Sequence, residues 1–304
     1  MYAEPRRIKT EVFATLPDEF RQPQASSEWH AQQPAGMPSH SLLEGPSFDR
    51  HGNLWCVDIP WGRIFRVSPE GRFELMHTYD GEPNGLKIHE DGRIFVADYK
   101  NGIMLFDPVE KTVRPVLERV HLERLRAVND LVFASNGDLY FTDQGLSGLH
   151  NPNGRVFCLR KDGQIDCLMD NVPSPNGLVL NREESALYVA VTRANAIWRI
   201  PLLRGGRTAK VGCFIQMSGG GGPDGLALDE DGNLAVAHVG IGAVWLFSAR
   251  GEPMYRIQSD IGYHTTNVAY GGAERKTLFI TESESGTILT AAMPVAGRRM
   301  YSGV

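Results

Sequence analysis

Gly222-Pro223-Asp224-Gly225-Leu226-Ala227-Leu228 runs through Asp229-Glu230-Asp231-Gly232 into Asn233-Leu234-Ala235-Val236-Ala237-His238, and this phrase returns along the whole chain. An apolar stretch, a short polar turn with Gly and a second apolar stretch read as a β-hairpin, the Gly supplying the positive φ of a tight turn. Outward from it lie Asn176-Gly177-Leu178-Val179-Leu180 before Leu187-Tyr188-Val189-Ala190-Val191, and Asn129-Asp130-Leu131-Val132-Phe133 before Gly137-Asp138-Leu139-Tyr140-Phe141-Thr142-Asp143. Further out are Asn84-Gly85-Leu86-Lys87-Ile88 before Ile94-Phe95-Val96-Ala97-Asp98, and Glu44-Gly45-Pro46-Ser47-Phe48 before Leu54-Trp55-Cys56-Val57-Asp58. The last copy is Thr266-Asn267-Val268-Ala269-Tyr270 before Leu278-Phe279-Ile280-Thr281-Glu282. The first residue of each copy, the anchor, falls at 44, 84, 129, 176, 224 and 266. A strand-rich repeat of roughly 40–50 residues marks a propeller blade.

A third strand follows each hairpin, as in Gly62-Arg63-Ile64-Phe65-Arg66-Val67 and Gly242-Ala243-Val244-Trp245-Leu246-Phe247, and a fourth is visible at residues 72–77 and 165–169. Four antiparallel strands in each of six copies predict an all-β, six-bladed β-propeller. Residues 10–16 are strand-like but precede the first copy, so they are expected to supply the outer strand of the last blade and close the ring, hiding a sheet edge. Residues 20–40, rich in Pro, Gln and Ser, read as a loop covering one face, and residues 121–126 as one short helical turn. With no linker between repeats, residues 1–304 are expected to form a single domain.

The net charge of −5 argues against a nucleic-acid or anionic-membrane partner. The longest apolar run, residues 234–247, is too short to span a bilayer. No basic stretch followed by an apolar run opens the chain, so a cytoplasmic, reducing setting is expected. Cys56, Cys158, Cys167 and Cys213 have no metal-binding spacing. Free thiols are expected, with a Cys158–Cys167 cross-strand pair as the alternative. The sequence sets no oligomeric state.

In a propeller the first strand of each blade lines the central channel, so the six anchors are expected at one mouth. A hard divalent cation takes carboxylate, amide and water oxygens. Glu44, Asn176 and Asp224 offer two carboxylates and an amide oxygen from three blades, and Asn129 adds a fourth oxygen directly or through water. No anchor is Cys or His, which disfavours a thiolate or imidazole zinc cage. Asn-Gly and Asp-Gly are also ordinary turn formers, so a single such pair signals only a turn. Glu44-Gly45 has no such explanation.

Glu44-Gly45-Pro46, Asn129-Asp130, Ser174-Pro175-Asn176-Gly177-Leu178 and Gly222-Pro223-Asp224-Gly225-Leu226-Ala227 resemble the metal-site motifs of the gluconolactonase, senescence-marker-protein (regucalcin) and luciferin-regenerating-enzyme family. Leu139-Tyr140-Phe141-Thr142-Asp143 and Thr277-Leu278-Phe279-Ile280-Thr281 resemble its gluconolactonase branch. The resemblance implies one divalent metal ion in the channel mouth, calcium in the first instance, with zinc, manganese, magnesium or iron as alternatives. It implies Glu44, Asn176 and Asp224 as ligands, Asn129 in contact with metal, water or substrate, and Asp224 as the base that activates water. The implied reaction is hydrolysis of a small-molecule lactone, foremost a sugar lactone such as an aldonolactone. Ligation lowers a carboxylate's basicity, so the two duties of Asp224 compete.

Asp58, Asp98 and Asp143 end the second strands of the first three copies, and His238 and Glu282 hold that slot in the fifth and sixth. Asp143 is therefore either one of a series of structural hydrogen-bonding groups or a substrate contact. His264, just before the sixth anchor, is a candidate substrate contact. Trp61 and Tyr99 are candidate wall residues. Some sugar-lactone members carry Arg two residues before the Asn129 position; here it is Ala127, and Arg126 one step away points to the other face of a strand. A less polar lactone, phosphotriester or ester hydrolysis at the same metal, and a propeller that binds a metal or small molecule without catalysis remain as alternatives.

Overall fold

The computed structural model describes residues 2–22, 26–33, 40–203 and 206–304. Its six main sheets are the six blades of a propeller. Blade 1 comprises Leu43–Phe48, Leu54–Asp58, Arg63–Val67 and Phe73–Thr78; blade 2 comprises Pro83–Ile88, Ile94–Asp98, Gly102–Asp107 and Thr112–Leu117. Blade 3 comprises Val128–Phe133, Leu139–Asp143, Gly154–Leu159 and Ile165–Val172; blade 4 comprises Pro175–Leu180, Ala186–Val191, Ala196–Pro201 and Gly212–Gln216. Blade 5 runs through Gly222–Leu228, Leu234–Val239, Ala243–Phe247 and Pro253–Gln258. Blade 6 has Thr265–Gly271, Thr277–Glu282 and Thr287–Ala292, and Glu11–Thr15 pairs antiparallel outside its third strand, closing the ring as expected.

Six apolar clusters hold the ring, each spanning the seam between two neighbouring blades. Leu86, Ile94 and Phe106 pack on Trp55 and Ile64 between blades 1 and 2. Phe279 and Ile288 of blade 6 pack on Phe48, Leu54 and Phe65 of blade 1, joined by Ala14 and Leu16 of the closing segment. The three inner strands of a blade are therefore apolar on both faces, which is why the repeats read as runs rather than strict alternation.

Three features depart from the sequence reading or lie beyond it. Residues 121–126 are not helical: Arg119–Val120 pairs with Glu123–Arg124 around a turn in which His121 has φ 53°. Arg6–Lys9 adds a fifth, parallel strand to blade 5. The C-terminal residues cross the face opposite the anchors. The Arg298 guanidinium donates to the Leu180 and Asn181 carbonyls, Tyr301 stacks on Phe133, and Arg50 donates to the Ser302 carbonyl. All four cysteines are free, Cys56 and Cys158 buried, Cys167 and Cys213 exposed. Cys158 opposes Asp166 while Cys167 opposes Phe157, so this one-residue offset sends the two sulfurs to opposite faces. Among the described residues, no helix is long and apolar enough to cross a membrane.

Every inner strand breaks register with its neighbour at or beside its anchor. The shifts fall between Glu44 and Ser47, Pro83 and Gly85, Val128 and Leu131, Pro175 and Leu178, Pro223 and Leu226, and Thr265 and Asn267. Each is a β-bulge, in which an unpaired extra residue bends the strand and re-aims a side chain. The anchors thus sit inside strands, at bulges, and not in connecting turns.

Candidate functional site

The bulges deliver all six anchors, Glu44, Asn84, Asn129, Asn176, Asp224 and Thr266, to the lining of one cavity of about 350 Å³. The slot at the end of each second strand aligns the chain entering them. Asp58 accepts from Leu42 N, Asp98 from Glu82 N, Asp143 from Ala127 N and Glu282 from His264 N, each donor two residues before an anchor. In blade 4 the slot is Val191, and Ser147 Oγ accepts from Ser174 N instead. In blade 5, His238 is contacted on both ring nitrogens: Trp245 Nε1 donates to Nδ1, leaving Nε2–H to donate to the Gly219 carbonyl. Burial lowers its pKa, so the ring is a neutral structural group.

Asp143 belongs to this frame and not to the cavity. It is fully buried, one oxygen accepts from Arg126 N and Ala127 N, and the other is ion-paired with Arg155. The expected substrate contact by Asp143 is thereby corrected: no oxygen is left to meet a ligand. His264 does line the cavity, with Nδ1 3.4 Å from Glu284 Oε2. Tyr99 lines it too, whereas Trp61 turns away and donates to the His40 carbonyl. Arg126 is directed to Glu123 and the Asn153 carbonyl, away from the anchors.

One step below the anchors the ring carries Gly45, Gly85, Asp130, Gly177, Gly225 and Asn267. Asp130 and Asn267 come from opposite blades, and their side chains fill the centre of the channel. A Cβ on Gly85 would meet Asp130 Oδ1 at 2.6 Å, and one on Gly225 would collide with the Asn267 amide, so these two glycines are dictated by close approach. Asn267 Nδ2 donates to Glu44 Oε2 at 2.7 Å, and Gly45 N donates to the same oxygen, so Oε1 has no protein donor among the described residues. Lys87 Nζ lies 3.7 Å from Asp130 Oδ1 and is the buried cation beneath the site.

Burial pushes the Glu44 carboxyl up to about 7, with the Asp130 charge adding to it and the two hydrogen bonds opposing it. Asp224, enclosed by protein but open to the cavity, is raised well above the usual carboxylate range by burial and then by Glu44 and Asp130. Asp130 is raised by burial and held back by Lys87. Three carboxylates around one lysine leave uncompensated negative charge when ionised, an arrangement that a bound cation relieves.

The remaining donors are amides. Asn129 Nδ2 lies 3.5 Å from Tyr99 Oη and 3.4 Å from Gln144 Oε1, so its own Oδ1 is left without a protein donor among the described residues. Gln144 is fixed in turn by its donation to Ser174 Oγ, on a backbone whose φ of 64° is rare outside glycine. Thr266 differs from the other anchors: its hydroxyl meets the Leu43 carbonyl, Thr281 Oγ1 and Ser283 Oγ. Among the described residues, no three His, Cys, Asp or Glu side chains group as metal ligands, so a cation here needs the amide oxygens as well. Two carboxylates and several amide oxygens form a hard donor set that fits a divalent ion of the calcium type.

Sequence reading set Asn84 at the mouth as an anchor without giving it a role, and among the other lining residues it did not single out Gln144, Arg193 or Trp29. These three lie outside the repeat phrase. Trp29 sits on the short helix Glu28–Ala31, packed against Leu42 and Ile59, and overhangs the mouth. The expected covering segment is thus seen in part, and its residues 23–25 and 34–39 lie outside the described residues.

The profile of the SMP-30/Gluconolactonase/LRE-like region matches residues 42–284. A lactonase, drp35, of Staphylococcus aureus is 36% identical over 228 residues, covering 71% of this chain and 69% of the relative. A calcium-binding protein, regucalcin, from Agrobacterium tumefaciens superposes with a TM-score of 0.78 at 21% identity, covering 99% of this chain and 100% of that one. A gluconolactonase from Xanthomonas campestris superposes with a TM-score of 0.74 at 19% identity, covering 97% and 99%. These two structural likenesses bear on the fold.

Proposed function

This chain belongs to the SMP-30/gluconolactonase/LRE-like family, and we propose that it is a divalent-cation-dependent hydrolase that opens a lactone ring. The observation that carries the reading is the convergence of six anchors from six blades on one cavity, with two raised carboxylates at its floor. The lactonase name of the drp35 relative supports lactone as the substrate class.

Glu44, Asn176 and Asp224 would hold the ion, calcium foremost, with the Asn129 and Asn84 amides beside them. A divalent ion there supplies Lewis-acid polarisation of the lactone carbonyl and offsets the charge that builds on its oxygen during attack. Hydrolysis forms a bond from the water oxygen to the carbonyl carbon and breaks the ring C–O bond. One water proton moves to a base, and one proton reaches the departing ring oxygen, giving a hydroxy acid.

Asp224 is the base: it faces the cavity beside the ion's other ligands, and the burial that raises its pKa in the ion-free protein opposes the loss of basicity that ligation would bring. Once it holds the water proton, Asp224 is the group placed to pass it to the ring oxygen. Asn129, oriented by Tyr99 and Gln144, fixes the substrate or its water, and Asn267 fixes Glu44. Trp29, Leu42, Ile59 and Val239 give the cavity an apolar side that limits water around the ring. Polar groups at Asn84, Gln144 and Ser174 can meet hydroxyls, so aldonolactones are the first substrates to test.

Chelator-treated protein is expected to lose lactonase activity in a pH-stat assay and to regain it with calcium, manganese or zinc. Glu44→Ala and Asp224→Ala are expected to lower kcat/KM at least 10³-fold. Full activity in either variant, or no turnover of sugar and aliphatic lactones with any ion, would sink the reading; the latter would favour a binding protein.

A further inference from the structure

Beside the anchor cavity lies a second one, of about 360 Å³, and Gln33, Tyr99, Gln144, Ser174 and Arg193 line both. These five residues stand where an inner chamber floored by Glu44 and Asp224 adjoins an outer chamber that also takes in Gln32 and Ser147. Among the described residues, Arg193 is the one Lys or Arg side chain lining either chamber.

Arg193 differs from the other arginines near this face. Arg126 is paired with Glu123, and Arg155 with Asp143 and Glu123. Arg193 makes no ion pair among the described residues, and the residues outside that set include no Asp or Glu. It stands on the short turn Thr192–Ala194, immediately after the second strand of blade 4. An exposed arginine is ordinarily a solvated charge, but this one is placed where two chambers meet and feels the Asp224 charge.

We propose that Arg193 and the outer chamber form a subsite for an anionic substituent on the lactone, a carboxylate or a phosphate ester carried away from the ring. The inference rests on the lactonase reading of the inner chamber. Charge placement favours it: with the inner chamber given to the ion and the reacting carbonyl, an anionic group carried away from the ring meets the Arg193 guanidinium where the outer chamber begins. The planar guanidinium offers two parallel N–H donors to a carboxylate or phosphate, and the Gln32 and Gln33 amides can supply neutral donors around it. Such a group also sets direction, since it places the lactone carbonyl at the far, anchor end.

The test compares three lactones with the same ring: a neutral aldonolactone, one with a terminal carboxylate and one with a terminal phosphate. They are assayed with wild-type protein, Arg193→Gln and Arg193→Lys, with calcium present. Arg193→Gln is expected to raise KM for the charged lactones roughly 10- to 100-fold more than for the neutral lactone, with kcat changed by a similar factor on all three. Arg193→Lys is expected to recover part of the loss. The carboxylate and phosphate arms distinguish the two anions.

Equal effects of Arg193→Gln on all three lactones, or none, would overturn the subsite while leaving lactone hydrolysis intact. Should wild-type protein open none of them, calorimetric titration with the ring-opened monocarboxylate and dicarboxylate takes over. Arg193-dependent preference for the dicarboxylate would then support the subsite although the lactonase reading had failed, and its absence would overturn both.

Discussion

At the scale of single residues, the site depends on groups that never face the ligand. Asn267 accepts from its neighbour Val268 N and donates to Glu44, linking the last blade to the first at the position where a carboxylate must point into the cavity. Burial of Glu44 has a consequence for pH. Its carboxyl titrates near 7 in the folded, ion-free protein and near 4.5 in the unfolded chain. Between those values the folded state binds more protons, so stability falls as pH rises from about 4.5 to about 7, and this contribution is flat above. Asp224 and Asp58, also raised by burial, act with the same sign. Glu44→Gln removes the Glu44 share. In chelator, thermal unfolding from pH 4.5 to 8 is expected to show wild type losing roughly 3–5 °C more than Glu44→Gln across the window. Excess calcium should flatten the wild-type profile. Parallel profiles in chelator would show that Glu44 is not held protonated by its surroundings.

At the scale of elements, the bulge and the glycine after it act together. The bulge turns the anchor into the mouth, and the missing Cβ at the next position leaves room for Asp130 and Asn267 in the channel. Gly225→Ala is expected to lower stability by about 1–3 kcal/mol through overpacking against Asn267. Gly212→Ala, in an outer strand with open space around the added Cβ, is expected to stay within about 0.5 kcal/mol. Equal unfolding temperatures for the two variants would show that the channel gives way at no cost. The hairpins, the four-strand blade and the slot of Asp58, Asp98 and Asp143 were readable because each recurs, and recurrence separates a structural habit from chance. The bulges were not, because Asn-Gly and Asp-Gly serve a turn and a bulge equally well, and only the partner strand's register tells them apart. The segment from His121 to Arg126 misled because its Leu, Glu and Arg favour helix, whereas pairing with residues 119 and 120 overrides that weak preference.

At the scale of the whole molecule, counting repeats gave the number of blades, but what sits on the ring's two faces lay outside the repeat. The C-terminal segment shares a cavity with inner-strand residues of all six blades, among them Pro46, Lys87, Val132, Leu178, Leu226 and Val268, and so covers the channel end away from the anchors. Trp29 and Arg193 were equally invisible, since no equivalent position in other blades points to them. The closing strand was legible because the sixth repeat lacked its fourth strand while a strand-like segment stood unused at the other end of the chain. That closure gives the last prediction a sharp form, because the N-terminal residues make two separable attachments. Arg6–Lys9 is a mostly exposed outermost strand on a blade that is already complete, so deleting residues 2–9 is expected to lower the unfolding temperature by only a few degrees. Deleting residues 2–16 also removes the partner of Thr287–Ala292, the Phe13–Phe279 edge-to-face contact, and buried Ala14 and Leu16 from the seam between blades 6 and 1. It leaves an open outer edge on the blade whose inner strand carries Asn267, the partner of Glu44. This second deletion is expected to lower the unfolding temperature by more than about 10 °C or to give aggregated protein, and to weaken calcium binding in whatever remains folded. If the two truncations unfold together, the ring is held by its seams alone and the closing strand is an ornament of the edge.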